Sequence, residues 1–334
     1  MESTSGDMID LSTKYLGLDL KNPLIVGSCG LTSSVDQIKN LADNNAGAVV
    51  LKSLFEEQIQ GQLAKNLESY NLDYPGATDY IREYTRGTEV DTYLKLISGA
   101  KKAVDIPVIA SINCVSANEW TSFAKAVEQE GADAIELNIA LLPSNPQTTS
   151  EESEKKYVEI IHAVTQMVSI PVTLKMSHYS ASLANLIQKL SWINNLSGFV
   201  LFSRFYTPDI DIDKMVIKSA DILSGPSECC GSLRWIALMY GQIEKDLVAS
   251  TGVHDSAGLI KQILAGATAV QIVSTIYKNH AGQITTMLKG LEEWMEQHSF
   301  SSLDEFRGNL SYKQAGHSAG FERTQFMKYF GGLS

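Results

Sequence analysis

No stretch of this sequence approaches the roughly 18 consecutive apolar residues that a membrane-spanning helix requires, so a helical membrane protein is not expected. Nor does it open on a basic segment followed by an apolar run; MESTSGDMID is polar, and a soluble, cytoplasmic chain with no membrane partner is the expectation. Positive charge is scarce. With 27 Lys and Arg against 38 Asp and Glu the net charge is -11, and no basic cluster interleaved with aromatics offsets it, which argues against nucleic acid as a partner. An anionic small molecule would have to be held by local backbone N–H groups and a few lysines. Only four cysteines occur, without a CxxC pair, and the adjacent Cys229 and Cys230 could not easily close an ordinary disulfide, so reduced thiols are expected. His178, His254 and His280 lack metal-ligand spacing, and no glycine-rich Rossmann or Walker phrase is present. No metal is therefore expected, and neither a nicotinamide domain nor a P-loop is supported.

What the chain does contain is a repeated alternation. Eight short apolar runs bounded by turn residues read as strands: Leu24 to Gly27, Ala48 to Lys52, Val108 to Asn113, Ala134 to Asn138, Val172 to Lys175, Phe199 to Phe202, Leu247 to Ser250 and Ala269 to Val273. Gly47, Gly131 and Gly266 each follow an amphipathic stretch, where a left-handed glycine could end a helix and turn the chain into a buried strand. Asp105-Ile106-Pro107 and Ser169-Ile170-Pro171 introduce two others, with proline kept out of the ladder. Continuous apolar strands alternating with helices mean a parallel sheet buried on both faces. Eight units over 334 residues favour an α/β fold of the closed (β/α)8 type over an open doubly wound sheet. The expected domain is a single barrel over residues 1–310 with a tail from 311 to 334. A small hairpin within Ile9 to Leu20 would close its bottom. Two connections are unusually long, Ser53 to about Glu89 after the second strand and Ser203 to about Arg234 after the sixth, and read as walls or lids of a pocket.

The strand ends are where chemistry is expected in a barrel. They offer Gly27-Ser28, Lys52-Ser53, Asn113, Glu136 with Asn138, Lys175, Ser203-Arg204, Ser250 to Gly252 and Ser274-Thr275. A lysine closing an apolar strand is costly unless it faces an anion, an electron-rich ring or a barrel carboxylate such as Glu136. Two lysines and two asparagines converging on one mouth point to a ligand site. Small residues after the last two strands suit a phosphate. Together they suggest flavin mononucleotide (FMN) lying across the mouth, with a lysine near the pyrimidine edge of its ring.

These phrases, in order, resemble the dihydroorotate dehydrogenase family over about residues 9 to 310. Asn22-Pro23-Leu24 with Gly27-Ser28, Gly47-Ala48 through Lys52-Ser53, and Glu136-Leu137-Asn138 match three of the family's strand phrases. Pro171 to Lys175 with Tyr179, Thr251-Gly252-Val253, Leu264 to Ala267 with Val270-Gln271-Ile272, and Ser302 to Gly308 continue the series. The resemblance implies an FMN oxidoreductase of pyrimidine biosynthesis that passes a hydride from dihydroorotate to the flavin. It implies cofactor contacts from Gly27, Ser28, Lys52, Ser53, Asn113, Asn138, Lys175, Ser203, Gly252, Ser274 and Thr275, with Lys52 and Asn138 also facing the small-molecule substrate. A homodimer is a further expectation.

The sequence departs from the family where the proton should go. The family carries Cys or Ser three residues after the fourth-strand asparagine; here that position is Leu141, which cannot accept a proton. Ser144, Cys114 and His178 lie near enough in sequence to be considered, but none is assigned as the catalyst. Ser203 stands for an Asn, Val273 for a Gly and Thr251 for the first of two glycines, and the asparagine-rich substrate loop has only Tyr70-Asn71 to Pro75 in its place. Two alternatives remain beside orotate chemistry: a flavin reductase acting on another small unsaturated compound, and a flavin-binding barrel without turnover.

Overall fold

The computed structural model describes residues 9–55, 77–113, 121–316 and 320–322. Eight parallel strands close into a barrel in the order β3 (Leu24–Val26), β4 (Ala48–Val50), β6 (Val108–Asn113), β7 (Ala134–Ile139), β8 (Val172–Met176), β9 (Leu196–Leu201), β12 (Asp246–Ser250) and β13 (Ala269–Ile272). The ring is completed by the β13–β3 and β4–β6 pairings. A two-residue strand, β5 (Leu54–Phe55), runs on beside the end of β6. The first, second and last barrel strands end one or two residues sooner than their apolar runs, and the sixth begins at Leu196 rather than Phe199.

Helices α1 (Val35–Asp43), α2 (Ala77–Ala103), α3 (Thr121–Gln129), α4 (Ser150–Thr165), α5 (Leu183–Ser191), α6 (Cys229–Met239), α7 (Ser256–Ala265), α8 (Ser274–Asn279) and α9 (Gln283–Gln297) follow the strands. Gly131 and Gly266 adopt the left-handed conformation expected of them, at φ +91° and +119°. Gly47 does not. There the left-handed residue is Asn45, at φ +71°, and Gly47 is needed for a close approach: a Cβ on it would lie 2.3 Å from the carbonyl oxygen of Asn22.

The predicted hairpin exists as β1 (Thr13–Tyr15) and β2 (Leu18–Leu20), paired antiparallel. It plugs the barrel's bottom with Tyr15, Leu16 and Leu20, which pack on the inward residues Ile25, Val50, Ile109, Val200 and Val248. Each such side chain contributes about 1.5–3 kcal/mol by leaving water. Tyr15 donates its hydroxyl to Thr173 Oγ1 at 3.2 Å, which satisfies the polar tip of a fully buried ring. Arg307 ties the same end together, donating to the carbonyls of Ala267 and Thr268 and to Thr13 Oγ1. Just past Gly308 the chain is still tied to the barrel, with Leu310 N–H on the carbonyl of Leu264 and Tyr312 N–H on that of Ala237, both at 2.9 Å.

Both long connections hold more regular structure than expected. Helix α2 begins at Ala77, so the segment up to Glu89 is helical rather than loop; residues 56–76, and with them Tyr70 to Pro75, lie outside the described residues. The connection after β9 folds into a second hairpin, β10 (Pro208–Asp211) and β11 (Val216–Ser219), and α6 starts at Cys229, ahead of Arg234. The turn residues of this hairpin are largely in solvent, Ile212 at 81% and Met215 at 86% exposure.

Candidate active site

Above the apolar plug the barrel interior turns polar. Ser111, Glu136, Thr173 and Gln271, from β6, β7, β8 and β13, are all buried. Gln271 reaches partners on strands that are not its neighbours, so the contacts cross the lumen: its Nε2 donates to Glu136 Oε2 at 2.5 Å, and its Oε1 accepts from Lys175 Nζ at 2.8 Å. Lys175 Nζ also stands 3.9 Å from Glu136 Oε1, so the ion pair weighed from the sequence is present. An ammonium has three protons to give. One is committed to Gln271, and Lys175 borders the cavity above.

That cavity occupies about 1160 Å³ at the C-terminal ends of the strands. Of the residues selected from the sequence, it is lined by Ser28, Asn138, Lys175, Ser203, Gly252 and Ser274. Ser203 donates its hydroxyl to Asn138 Oδ1 at 2.7 Å, which turns the amide nitrogen of Asn138 toward other partners. Thus Ser203, which replaces an asparagine of the family pattern, orients the asparagine that is kept. The others stand around this group. Ser53 is buried and bridges Ser28 and Ser111 by hydroxyl contacts of 2.9 and 2.6 Å. Gly27 lies against Val273 and Gln271, where a Cβ would meet Val273 Cγ2 at 3.0 Å. Asn113 ends β6 beside Asn138 in register, and Thr275 is buried with its hydroxyl on the carbonyl of His254. Lys52 is exposed at the rim and is not among the lining residues.

The connection after β9 walls the cavity, through residues from Phe202 to Thr207 and from Ser219 to Ser224. Arg204 holds this wall by an ion pair with Glu228, 2.8 Å from Nε to Oε2, and by a bond to the carbonyl of Ile222. Burial alone pushes the Glu228 carboxyl up, but the hydrogen bonds from Arg204 and Gly225 outweigh it and leave it below its ordinary range. Helix α6 begins hard against Gly252, whose absent Cβ would fall 2.2 Å from the nitrogen of Cys229.

At the far end of the cavity the structure gathers a group that the sequence reading missed. Ser224 N–H donates to Ser274 Oγ at 2.9 Å, its hydroxyl lies 3.4 Å from His254 Nε2, and Lys278 Nζ donates to its carbonyl at 3.0 Å. The only sequence signal was the run of small residues after the last two strands. Burial first, then the nearby Lys278 ammonium, depresses the pKa of His254, against the opposing pull of Asp255 and Glu228. A folded-state pKa below the unfolded value of about 6.5 means that the unfolded chain takes the proton first. This contribution to stability is complete above that pH and is lost as pH falls through it. Urea midpoints taken between about pH 8 and 5 are expected to fall less steeply in His254→Asn than in the parent; equal slopes would remove the assignment.

The three substitutes for a base fare differently. Leu141 is half-buried and packs on the apolar core, its carbonyl accepting from Ser177 Oγ at 2.8 Å. Ser144 is exposed on the following loop, and His178 is an exposed ring tilted by 34° against Tyr179 with centroids 4.2 Å apart. Cys114 lies outside the described residues. Among the described residues no cluster of His, Cys, Asp or Glu could hold a metal ion.

The donor set suits a flavin phosphate. One end of the cavity presents an ammonium and an amide, the other presents serine hydroxyls with Lys278 and His254 beside them, and Glu136 Oε1 below has no hydrogen-bond partner. A cavity of about 1160 Å³ leaves room for a tricyclic ring with a ribityl phosphate tail and for a small substrate beside it.

Comparison with known sequences agrees with this geometry. The model of the family described as Dihydroorotate dehydrogenase matches residues 10–295. A relative from Thermoplasma volcanium, named dihydroorotate dehydrogenase B (NAD(+)), catalytic subunit, is 27% identical over 305 residues, covering 90% of this chain and 98% of its own. Proteins of the same name from Thermoplasma acidophilum and Methanothermobacter thermautotrophicus are 25% and 24% identical, covering 90% and 89% of this chain and 99% and 97% of theirs.

Proposed function

Because the chain belongs to the dihydroorotate dehydrogenase family, we propose that it is an FMN-dependent oxidoreductase that acts on the CH–CH bond of dihydroorotate in pyrimidine biosynthesis. The carrying observation is that Lys175 and Asn138, from adjacent strands, border one cavity whose opposite end holds Ser274 and Gly252. When bound, FMN supplies the hydride acceptor. Lys175 would stabilise negative charge at the pyrimidine edge, its ammonium held in place by Gln271. Asn138, oriented by Ser203, would donate its amide to substrate, with Lys52 at the rim as the second substrate contact. Ser274, Thr275 and Gly252 would hold the phosphate, beside Ser28 and Ser53, while Gly27 and Asn113 complete the cofactor's surroundings. Arg204, paired with Glu228, would hold the wall in place beside the bound ring.

The test is a visible absorption spectrum before and after anaerobic addition of dihydroorotate. A flavin spectrum that bleaches is expected. A colourless protein that neither takes up FMN nor is stabilised by it would remove the reading. Leu141 favours a second reading, a flavin reductase of another small unsaturated compound; FMN that stays oxidised with dihydroorotate but is reoxidised by that compound after chemical reduction would select it.

The relatives are named catalytic subunits, and a homodimer remains our proposal for this chain. Its support is the hairpin of β10 and β11, which exposes Ile210, Ile217 and Met215; a two-stranded hairpin is marginal in water unless its apolar side is covered. Lys218 pairs with Asp209 inside the hairpin at 3.3 Å, and the turn adds Asp213 and Lys214, which two copies related by a dyad can set against each other. Sedimentation is expected to show a dimer that Ile217→Asp with Met215→Asp converts to monomer. A monomeric parent would end this proposal.

A further inference from the structure

One buried group beneath the mouth has no part in the chemistry proposed so far. Glu136 is 0% exposed, on a barrel strand whose other buried neighbours are apolar, and a carboxylate there is tolerated only if a cation and hydrogen bonds offset its loss of water. Those partners come from across the lumen. Glu136 Oε2 accepts from Gln271 Nε2, Gln271 Oε1 accepts from Lys175 Nζ, and the ammonium lies 3.9 Å from Glu136 Oε1. The three residues form a closed ring with a fixed sense. Turning the Gln271 amide over would set its oxygen against the carboxylate and its NH2 against the ammonium, so Glu136 decides which way Gln271 faces the lysine.

We propose that Glu136 is a positioning residue for the flavin reaction: through Gln271 it anchors the Lys175 ammonium at the cavity floor, and its charge partly cancels the lysine's. The pair, rather than the lysine alone, then sets how strongly the site favours a reduced, electron-rich flavin. This rests on the FMN reading above. Reduction adds negative charge to the ring, and a nearby ammonium stabilises it in proportion to the charge left uncancelled. In a site this buried, a carboxylate beside the ammonium is screened little by solvent. If the ring merely held the barrel together, altering it would cost stability and would give the flavin no signed response.

The midpoint potential of bound FMN, measured by reductive titration against an indicator dye, separates the two roles. Glu136→Gln keeps the shape and an oxygen for Gln271 but removes the charge, so the potential should rise. An expected tenfold shift toward reduced flavin corresponds to about 30 mV for a two-electron couple. Gln271→Met frees the lysine to settle on Glu136, away from the cavity, and the potential should fall. Glu136→Asp should stay near the parent. Either of the first two variants carries its own sign, so failure of one to fold leaves the other decisive. Unchanged potentials, or shifts in the same direction, would overturn the proposal while leaving FMN binding intact. A parent protein that takes up no FMN would instead bring down the cofactor reading and this proposal with it.

Discussion

Dihydroorotate, mixed anaerobically with the FMN-loaded protein, is expected to reduce the flavin about 10²–10⁴-fold more slowly than in family members carrying Cys or Ser after the fourth-strand asparagine. That factor is what a positioned general base contributes, and Leu141 has no lone pair to offer. Restoring the residue type should not restore the rate. The side chain at 141 lies on the apolar core and the backbone there is pinned by Ser177, so Leu141→Cys should gain less than tenfold in stopped-flow reduction. A parent rate equal to that of a Cys-bearing relative would show that some other group takes the proton. A Leu141→Cys variant restored to that rate would show that this loop turns toward the cavity.

Lys175→Met is expected to destabilise the protein by about 3–5 kcal/mol even with no flavin added, because it strands the Glu136 carboxylate inside the barrel. Lys175 is 12% exposed and Glu136 0%, so solvent does little to screen the loss. Removing both charges in Glu136→Gln with Lys175→Met should recover most of it, since the remaining amides can bond to each other. Denaturant midpoints with unchanged slopes would measure both effects. If the single variant were as stable as the parent, the ion pair would be no determinant of the fold. The double variant should nonetheless bind FMN weakly, which separates folding from ligand holding.

The barrel was legible because its strands are buried on both faces and therefore read as unbroken apolar runs, punctuated by Gly131, Gly266, Pro107 and Pro171. The hairpin after β9 was not. Ile210 and Ile217 face each other across the hairpin but stay 63% and 76% exposed, so their pattern carries no trace of a core. Lys52 and Lys175 look alike in sequence, each closing an apolar strand, yet one is exposed at the rim and the other is drawn inward by Gln271. That difference depends on a contact between β8 and β13 across the lumen, 96 residues apart, which no local spacing reports. Ser224 reaches Ser274 in the same way, over 50 residues, through the path of a long connection. Ordered phrases located the strand ends; the side chains that complete each end came from elsewhere in the chain.

Tyr15, Leu16 and Leu20 give the molecule a floor as well as a plug. With the bottom stoppered, the described residues leave the upper rim as the side from which a small molecule can approach Lys175.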